Sequence, residues 1–297
     1  MKKVCVLFGG SSAERDVSIH TGLAVIEAIK EKFIVQSINL SDNFKYLNKK
    51  LLDVDLVFLA LHGGYGEDGT IQKYLEKHKI PYTGSDSKSS SIAMDKHKTK
   101  LIAKNNNIPI LDWLVAKNEK EIKTNQLKFP LILKPNDGGS TIGLYYCDNL
   151  EVFRKNIKEA FKFSKEIMIE KYINAREVSV PILDGQVLPI IEIFPKGFLY
   201  DYDSKYKEKG SNYEVPAKIE DKISRKLAND SIKLYKEIGC RHYARVDFLL
   251  YEDKHYLLEI NTLPGLTSTS LLPKSASKIG LDYVSLVEKI INISLKK

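Results

Sequence analysis

The chain is poor in arginine. Of its 46 basic residues, only Arg15, Arg154, Arg176, Arg225, Arg241 and Arg245 are guanidinium side chains. The net charge of +8 is carried by lysines spread over nearly every segment and interleaved with acids. That is a compositional skew, unlike the single Arg/Lys face of a nucleic-acid reader, and no nucleic-acid partner is expected. Cysteine is equally scarce. Cys5, Cys147 and Cys240 are odd in number, widely spaced and without a C-x-x-C pair. This argues against a disulfide framework or structural zinc and fits a reducing compartment. No run approaches the ~20 apolar residues of a membrane span. The apolar run behind Met1-Lys2-Lys3 stops at Gly9-Gly10, short of the roughly 7–15 residues of a secretory signal. A cytoplasmic protein without membrane contact is expected. There is no internal repeat. The first glycine turn, Gly9-Gly10-Ser11-Ser12, is not G-x-G-x-x-G and gives a dinucleotide fingerprint no support there, and the 136–143 loop is not the G-x-x-x-x-G-K-[ST] of a P-loop.

What remains is 43% apolar and 28% charged over 297 residues, ordinary for a globular enzyme or binding protein of two or three lobes. Val4–Phe8 reads as a buried strand, followed by a Gly/Ser turn and a helix from about Asp16 or Ser18 to Lys30. Strands follow at Ile34–Leu40 and Val54–Leu61, then a glycine-rich loop at 62–69, a helix at about Thr70–Lys79 and a strand at Ile80–Thr83. This is a parallel α/β unit, in which functional groups sit in loops at strand ends. Glu14 lies in the first such loop and His62 in the second. On the sequence alone Glu14 also reads as a solvated loop acid, and His62 as a loop-packing histidine.

Asp86–Asn106 reads as one helix, with strands at about Ile110–Ala116 and Pro130–Lys134. The loop N-D-G-G-S-T-I-G (136–143), beside Lys134, is either a phosphate cradle built from backbone N–H groups or a flexible turn. A helix at Leu150–Ser164 and a strand at Ile167–Tyr172 come next. Arg176–Leu183 and Val187–Phe194 then pair around Asp184-Gly185. Residues 196–216 lack periodicity but hold Tyr200, Tyr202, Tyr206 and Tyr213, which suits a lid better than disorder. Helices are expected at Lys218–Ile238 and Ser275–Ile293.

The most informative stretch is Ala244–Ser270, two strands about a polar turn and then a Gly/Pro/Ser/Thr loop. Centring the hairpin on Asp253 pairs Val246 with Ile260, Phe248 with Leu258 and Leu250 with Tyr256 on an apolar face. The other face then pairs Asp247 with Glu259 and Arg245 with Asn261, backed by Leu249 and Leu257. Three oxygen donors on one rigid hairpin suit Mg²⁺ with open positions for phosphate and water. The same face also reads as a cross-strand salt-bridge ladder.

Several separated segments resemble one family. In order they are F-G-G-S-S-A-E-R-D-V-S, A-L-H-G-G-Y-G-E-D-G-T-I-Q, P-Y-T-G-S, A-M-D-K, L-K-P-N-D-G-G-S-T-I-G, Y-D-Y-D-S-K-Y, G-C-R-H-Y-A-R-V-D-F and L-E-I-N-T-L-P-G-L-T-S-T-S-L-L-P. Over essentially its whole length the chain resembles the D-alanine–D-alanine ligases of the ATP-grasp superfamily. The resemblance implies an α/β fold with α+β character in the ATP-grasp part. Its divisions would be an N-terminal parallel-sheet domain (1–94), a central lid subdomain (95–176) and a C-terminal antiparallel-sheet subdomain (177–297) carrying the lid loop 196–216.

It also implies two Mg²⁺ (or Mn²⁺) ions on Asp247, Glu259 and Asn261, room for a monovalent cation, and a homodimer. ATP phosphates would meet Lys96, Lys134, Ser140 and Lys205, adenine Glu170, Lys171 and Ile173, and ribose Glu177. Glu14 and His62 would seat the first D-alanine, Ser270 and the Leu271 N–H the second one's carboxylate. Arg245 and the Gly265 N–H would steady the tetrahedral intermediate, and Glu14, Ser140 and Tyr206 would close the lid. The expected activity is ATP-driven synthesis of D-alanyl-D-alanine through a D-alanyl phosphate, for peptidoglycan. A D-alanine–D-lactate or D-alanine–D-serine ligase is the alternative. In the family a tyrosine at position 206 goes with D-alanine and a phenylalanine with D-lactate, and Thr269 stands where some members have histidine.

Overall fold

The computed structural model describes residues 1–41, 44, 46–139, 141–195 and 211–296. Expected site residues Ser140, Lys205 and Tyr206, and residues 196–210 of the expected lid, lie outside them. The first sheet contains β1 (Lys3–Gly9), β2 (Ile34–Leu40) and β3 (Leu56–Leu59), all parallel in the order β2-β1-β3. Residues 4–9 of β1 and all of β3 are buried, as continuous apolar runs require when both sheet faces are covered. Helix α1 (Arg15–Ile29) crosses between the first two strands, the short α2 (Leu47–Lys50) precedes β3 and α3 (Thr70–Lys77) follows it. The strand expected at Ile80–Thr83 is reduced to one parallel bridge, Val57 to Tyr82.

The helix expected over 86–106 is two, α4 (Ser87–Met94) and α5 (Lys96–Asn105). Asp95 is extended between them, and its carboxylate accepts from the Lys98 N–H at 3.0 Å. An aspartate that can satisfy an orphan N–H favours a new start over helix continuation. The break sets Lys96 at the head of α5, where its N–H donates to the Asn136 carbonyl at 3.0 Å.

The second sheet is antiparallel in the order β4-β7-β5-β6. Its strands are β4 (Trp113–Ala116), β5 (Leu131–Pro135), β6 (Tyr145–Cys147) and β7 (Ile167–Lys171). Helix α6 (Leu150–Ala160) buries Phe153, Ile157 and Ala160 against it. The third sheet runs β11-β10-β8-β12-β13, with β8 (Arg176–Leu183), β10 (Ile191–Pro195), β11 (Ser211–Glu214), β12 (Tyr243–Tyr251) and β13 (Lys254–Asn261), and with β9 (Gln186–Val187) on β8. The return strand expected at Val187–Phe194 is thus split around Pro189, which has no N–H for a ladder. Ser211–Glu214, expected within an aperiodic lid, is an edge strand on β10; four residues are too few to show alternation.

Amphipathic α7 (Asp221–Ile238) packs Leu227, Leu234 and Ile238 under this sheet beside Ala103 of α5, and ends at left-handed Gly239. The closing helix is also two, α8 (Leu271–Ser277) and α9 (Tyr283–Leu295). Gly280 at φ +78 turns the chain, and Asp282 caps the restart by accepting from the Ser285 N–H at 2.8 Å. Helix α9 returns to the first sheet, sharing a core with β1 and β3 through Leu286, Ile290 and Ile291. Among the described residues no helix is long and apolar enough to cross a membrane.

Candidate active site

The β12–β13 hairpin pairs Arg245 with Asn261, Val246 with Ile260 and Asp247 with Glu259, as apolar matching required. The register then shifts at Phe248, which faces Leu257 rather than Leu258, and Leu250 faces His255 rather than Tyr256. The turn is two residues, Glu252-Asp253, with Glu252 at φ +50. An extra residue in one strand re-aims its neighbours. Leu257 is therefore core, with Phe248 and Leu250, and Leu258 joins Leu249 on the site face.

Asp247 is buried. Its Oδ1 accepts from Ser179 Oγ at 2.6 Å and Arg245 Nε at 2.9 Å, and its Oδ2 from Arg245 Nη2 at 2.8 Å. Ser179 lies directly opposite Asp247 on β8. Sequence reasoning missed it because an isolated serine in an apolar strand carries no signal of its partner. Glu259 Oε2 stands 3.4 Å from Lys96 Nζ, and Asn261 Oδ1 accepts from the Leu263 N–H at 2.9 Å. Among the described residues no group of three or more His, Cys, Asp or Glu side chains is placed to hold a metal. The candidate set here is two carboxylates and an amide.

Two cavities meet at this hairpin. The smaller, about 440 Å³, is lined by Glu14, His62, Arg245, Asn261, Gly265, Thr269, Ser270 and Leu271. The larger, about 640 Å³, is lined by Lys134, Glu170, Lys171, Ile173, Glu177 and Leu258. Lys96, Gly138, Gly139 and Glu259 border both.

In the smaller cavity, Glu14 is buried at the head of α1. A Cβ on Gly63 would fall 2.7 Å from Glu14 Oε2, and one on Gly139 3.4 Å from it. The carboxylate thus sits where the glycine loops after β3 and β5 converge. His62 is fixed through Nε2, 3.0 Å from Thr21 Oγ1, and its Nδ1 lies 3.5 Å from Glu67 Oε1. Ser270 precedes α8, and its Oγ accepts from the Thr267 N–H at 3.1 Å. A Cβ on Gly265 would come 3.2 Å from that oxygen.

In the larger cavity, Lys134 Nζ donates to Glu170 Oε2 at 2.6 Å, and Lys100 pairs with the other carboxylate oxygen. Burial alone would raise the Glu170 carboxyl, but Lys134 and Lys100 overcome it and hold it below the usual range. Burial depresses the Lys100 ammonium against the opposing pull of Glu170. Lys100, which sequence reasoning missed, is one turn from Lys96 on α5; that i,i+4 spacing was the available signal. Lys96 Nζ donates to the Gly138 carbonyl at 2.5 Å, closing the cradle loop onto α5.

Comparison with known proteins bears directly on this arrangement. The family models "D-ala D-ala ligase N-terminus" and "D-ala D-ala ligase C-terminus" match residues 46–85 and 102–292. The chain belongs to the D-alanine–D-alanine ligase family. Among members of that family, D-alanine–D-alanine ligase B of Clostridium perfringens is 37% identical, covering 99% of both chains. The enzyme of Syntrophotalea carbinolica is 40% identical over 100% of this chain and 97% of its own. The D-alanine–D-alanine ligase of Bacillus anthracis complexed with ATP superposes with a TM-score of 0.89 at 35% identity, covering 100% of this chain and 98% of that one. The VanG D-Ala:D-Ser ligase of Enterococcus faecalis reaches 0.85 at 28% identity, over 99% of each. This member of the family accordingly has the ATP-grasp fold, a parallel α/β unit followed by two antiparallel sheets.

Proposed function

We propose that the chain is an ATP-dependent ligase that joins two D-alanine molecules, with ATP in the larger cavity and both amino acids in the smaller one. The observation that carries this reading is the seam of Lys96 and Glu259, where the two cavities adjoin. A nucleotide's terminal phosphate and an amino acid's carboxylate must meet at such a place. Relatives named for this activity span the full chain, and one solved relative holds ATP.

A carboxylate is a poor electrophile at neutral pH. One of its oxygens therefore attacks the γ-phosphorus of ATP, the bond to ADP breaks, and a D-alanyl phosphate forms. Glu14 receives the first D-alanine's ammonium with His62 beside it, and Lys96 and Lys134 offset the phosphate charge. The neutral amine of the second D-alanine then attacks the acyl carbon, and phosphate leaves with the former carboxylate oxygen. Arg245 and the Gly265 N–H stabilise the tetrahedral oxyanion. Ser270 and the Leu271 N–H seat the second carboxylate. Ser140, Lys205 and Tyr206 complete the phosphate contacts and the closure that excludes water from an acyl phosphate. Lys171 and Ile173 border the adenine and Glu177 the ribose, with Glu170 at the base.

Asp247, Glu259 and Asn261 fit hard divalent cations. They are oxygen donors, two face each other across one hairpin, and the third lies next along the same face. Mg²⁺ or Mn²⁺ bound there would neutralise charge on the transferring phosphoryl group. The proposal extends to a monovalent cation near the site, a cytoplasmic homodimer, a product used in peptidoglycan synthesis, and a three-part division near residues 94 and 176. The tyrosine at 206 favours D-alanine as acceptor over D-lactate. Phosphate release from ATP with D-alanine, L-alanine, D-serine and D-lactate tests the reading. Release dependent on D-alanine alone is expected. No such release would refute ligation, and stronger stimulation by D-lactate or D-serine as acceptor would reassign the product.

A further inference from the structure

Lys100 is the most deeply buried ionisable side chain near the larger cavity, at 0% exposure. It does not line either cavity, so it touches no ligand held there. Its ammonium pairs with Glu170 Oε1, donates to the Leu257 carbonyl at 3.2 Å and lies 5.8 Å from the centre of the Trp113 ring. Trp113 is itself the β-ladder partner of Glu170. Four elements, α5, β4, β7 and β13, therefore converge on one charge.

The two lysines on Glu170 differ in one decisive respect. Lys134 borders the cavity and, on the nucleotide reading, is drawn towards the phosphates when ATP enters. Lys100 has nowhere to go. Once Lys134 turns away, Glu170, 3% exposed, would be a buried carboxylate without a counter-charge unless Lys100 stayed. An uncompensated buried carboxylate protonates or rotates away.

We propose that Lys100 is a positioning residue for nucleotide-base recognition: it holds Glu170 as a charged, fixed hydrogen-bond acceptor while Lys134 serves the phosphates. The inference rests on the nucleotide reading above and deepens it. A carboxylate so held accepts from the exocyclic amine of adenine and repels the carbonyl oxygen that guanine carries at the same place. Lys100 would thereby contribute to selection of ATP over GTP without contacting either.

The test is calorimetric titration of ATP and of GTP into the full chain with Mg²⁺ and without D-alanine, for the unaltered protein, K100M, E170Q and the double variant. K100M keeps Lys134 as a partner for Glu170 in the free protein. It is expected to weaken ATP binding about tenfold, one charge-assisted hydrogen bond's worth, and to change GTP binding less than about twofold. In the E170Q background the K100M change should shift ATP affinity by less than about twofold, because Lys100 acts through Glu170. ATP affinity within twofold of the unaltered chain in K100M would overturn the proposal. So would an equal loss for both nucleotides, or the same loss with and without the Glu170 carboxylate. If K100M proves too unstable to titrate, the neutral pair K100M/E170Q is compared with E170Q alone, where a tenfold difference is equally contradictory. A chain that binds no ATP at all would remove the nucleotide reading and this proposal with it. One that binds ATP but releases no phosphate with D-alanine would remove only the ligase reading.

Discussion

The two cavities are built in opposite ways. The larger is lined mostly by strand side chains of two sheets, and two of its carboxylates are partnered by opposite charges in place: Lys134 and Lys100 on Glu170, Arg176 on Glu192 at 2.6 Å. The smaller draws much of its wall from loops at strand ends, with glycines giving way to the functional groups, as at Gly63 and Gly139 around Glu14. Around Glu170 the geometry is held by electrostatics between rigid elements, and around Glu14 by steric clearance between loops. Charge-removing substitutions should therefore dominate along the β12–β13 hairpin and in the larger cavity, and volume-adding substitutions should matter most at the loop wall of the smaller cavity around Glu14.

The largest effect is expected at the seam. Glu259→Gln should lower turnover by about a thousandfold or more with an unchanged circular dichroism spectrum, since it weakens any cation shared with the phosphates. Near-normal turnover would remove Glu259 from the reaction. Next is Arg245→Met, expected to reduce kcat by about a hundredfold or more with little change in ATP affinity, as for loss of an oxyanion donor. A change confined to ATP affinity would place Arg245 on the nucleotide instead.

Gly63→Ala probes the clearance principle. Its φ of +65 and the 2.7 Å approach to Glu14 Oε2 should cost about 1–3 kcal/mol of stability. The KM for the first D-alanine should rise while ATP affinity stays constant. Equal losses at both ligands would erase the distinction between the two cavities.

The smallest effect lies outside both. His242 accepts from the Gly84 N–H at 3.0 Å and sits 3.1 Å from Ser294 Oγ, and burial, then Arg241, depress its pKa from 6.5 to about 4. The folded state thus resists a proton that the unfolded chain accepts, so stability is unaffected above the unfolded value. It falls as pH drops from about 6.5 towards 4, by about 1–3 kcal/mol in all. His242→Asn, which tolerates the observed φ of +65, should flatten that slope in urea denaturation at successive pH values. An unchanged slope would assign the acid sensitivity to other groups.

Strong periodicity and explicit stop signals made much of this legible in the sequence. The bounds of β2 are the Ile34–Leu40 expected from the sequence, and the Asp247/Glu259 and Arg245/Asn261 pairings follow from apolar matching across the hairpin. The bulge at Phe248 does not, because both Leu257 and Leu258 satisfy an apolar neighbour and only packing decides between them. The Asp95 break was masked by helix-compatible residues on either side. Ser179 was missed because its partner, Asp247, comes from a strand 68 residues further along the chain, and no local pattern announces such a pair. For Lys100 the spacing from Lys96 marked a shared helix face but not Glu170 as the partner. The glycine loops carrying Glu14 and His62 were visible as loops, but their convergence on one carboxylate needed the folded chain.

The central claim is that the amino-acid carboxylate and the nucleotide's terminal phosphate meet at the Lys96–Glu259 seam. D-alanine labelled with ¹⁸O in its carboxylate tests it directly, by mass analysis of the phosphate released during turnover with unlabelled ATP. Attack of that carboxylate on the γ-phosphorus requires one labelled oxygen in each phosphate released. Phosphate free of label, formed alongside dipeptide, would contradict an acyl phosphate and the meeting of the two cavities' contents at the seam.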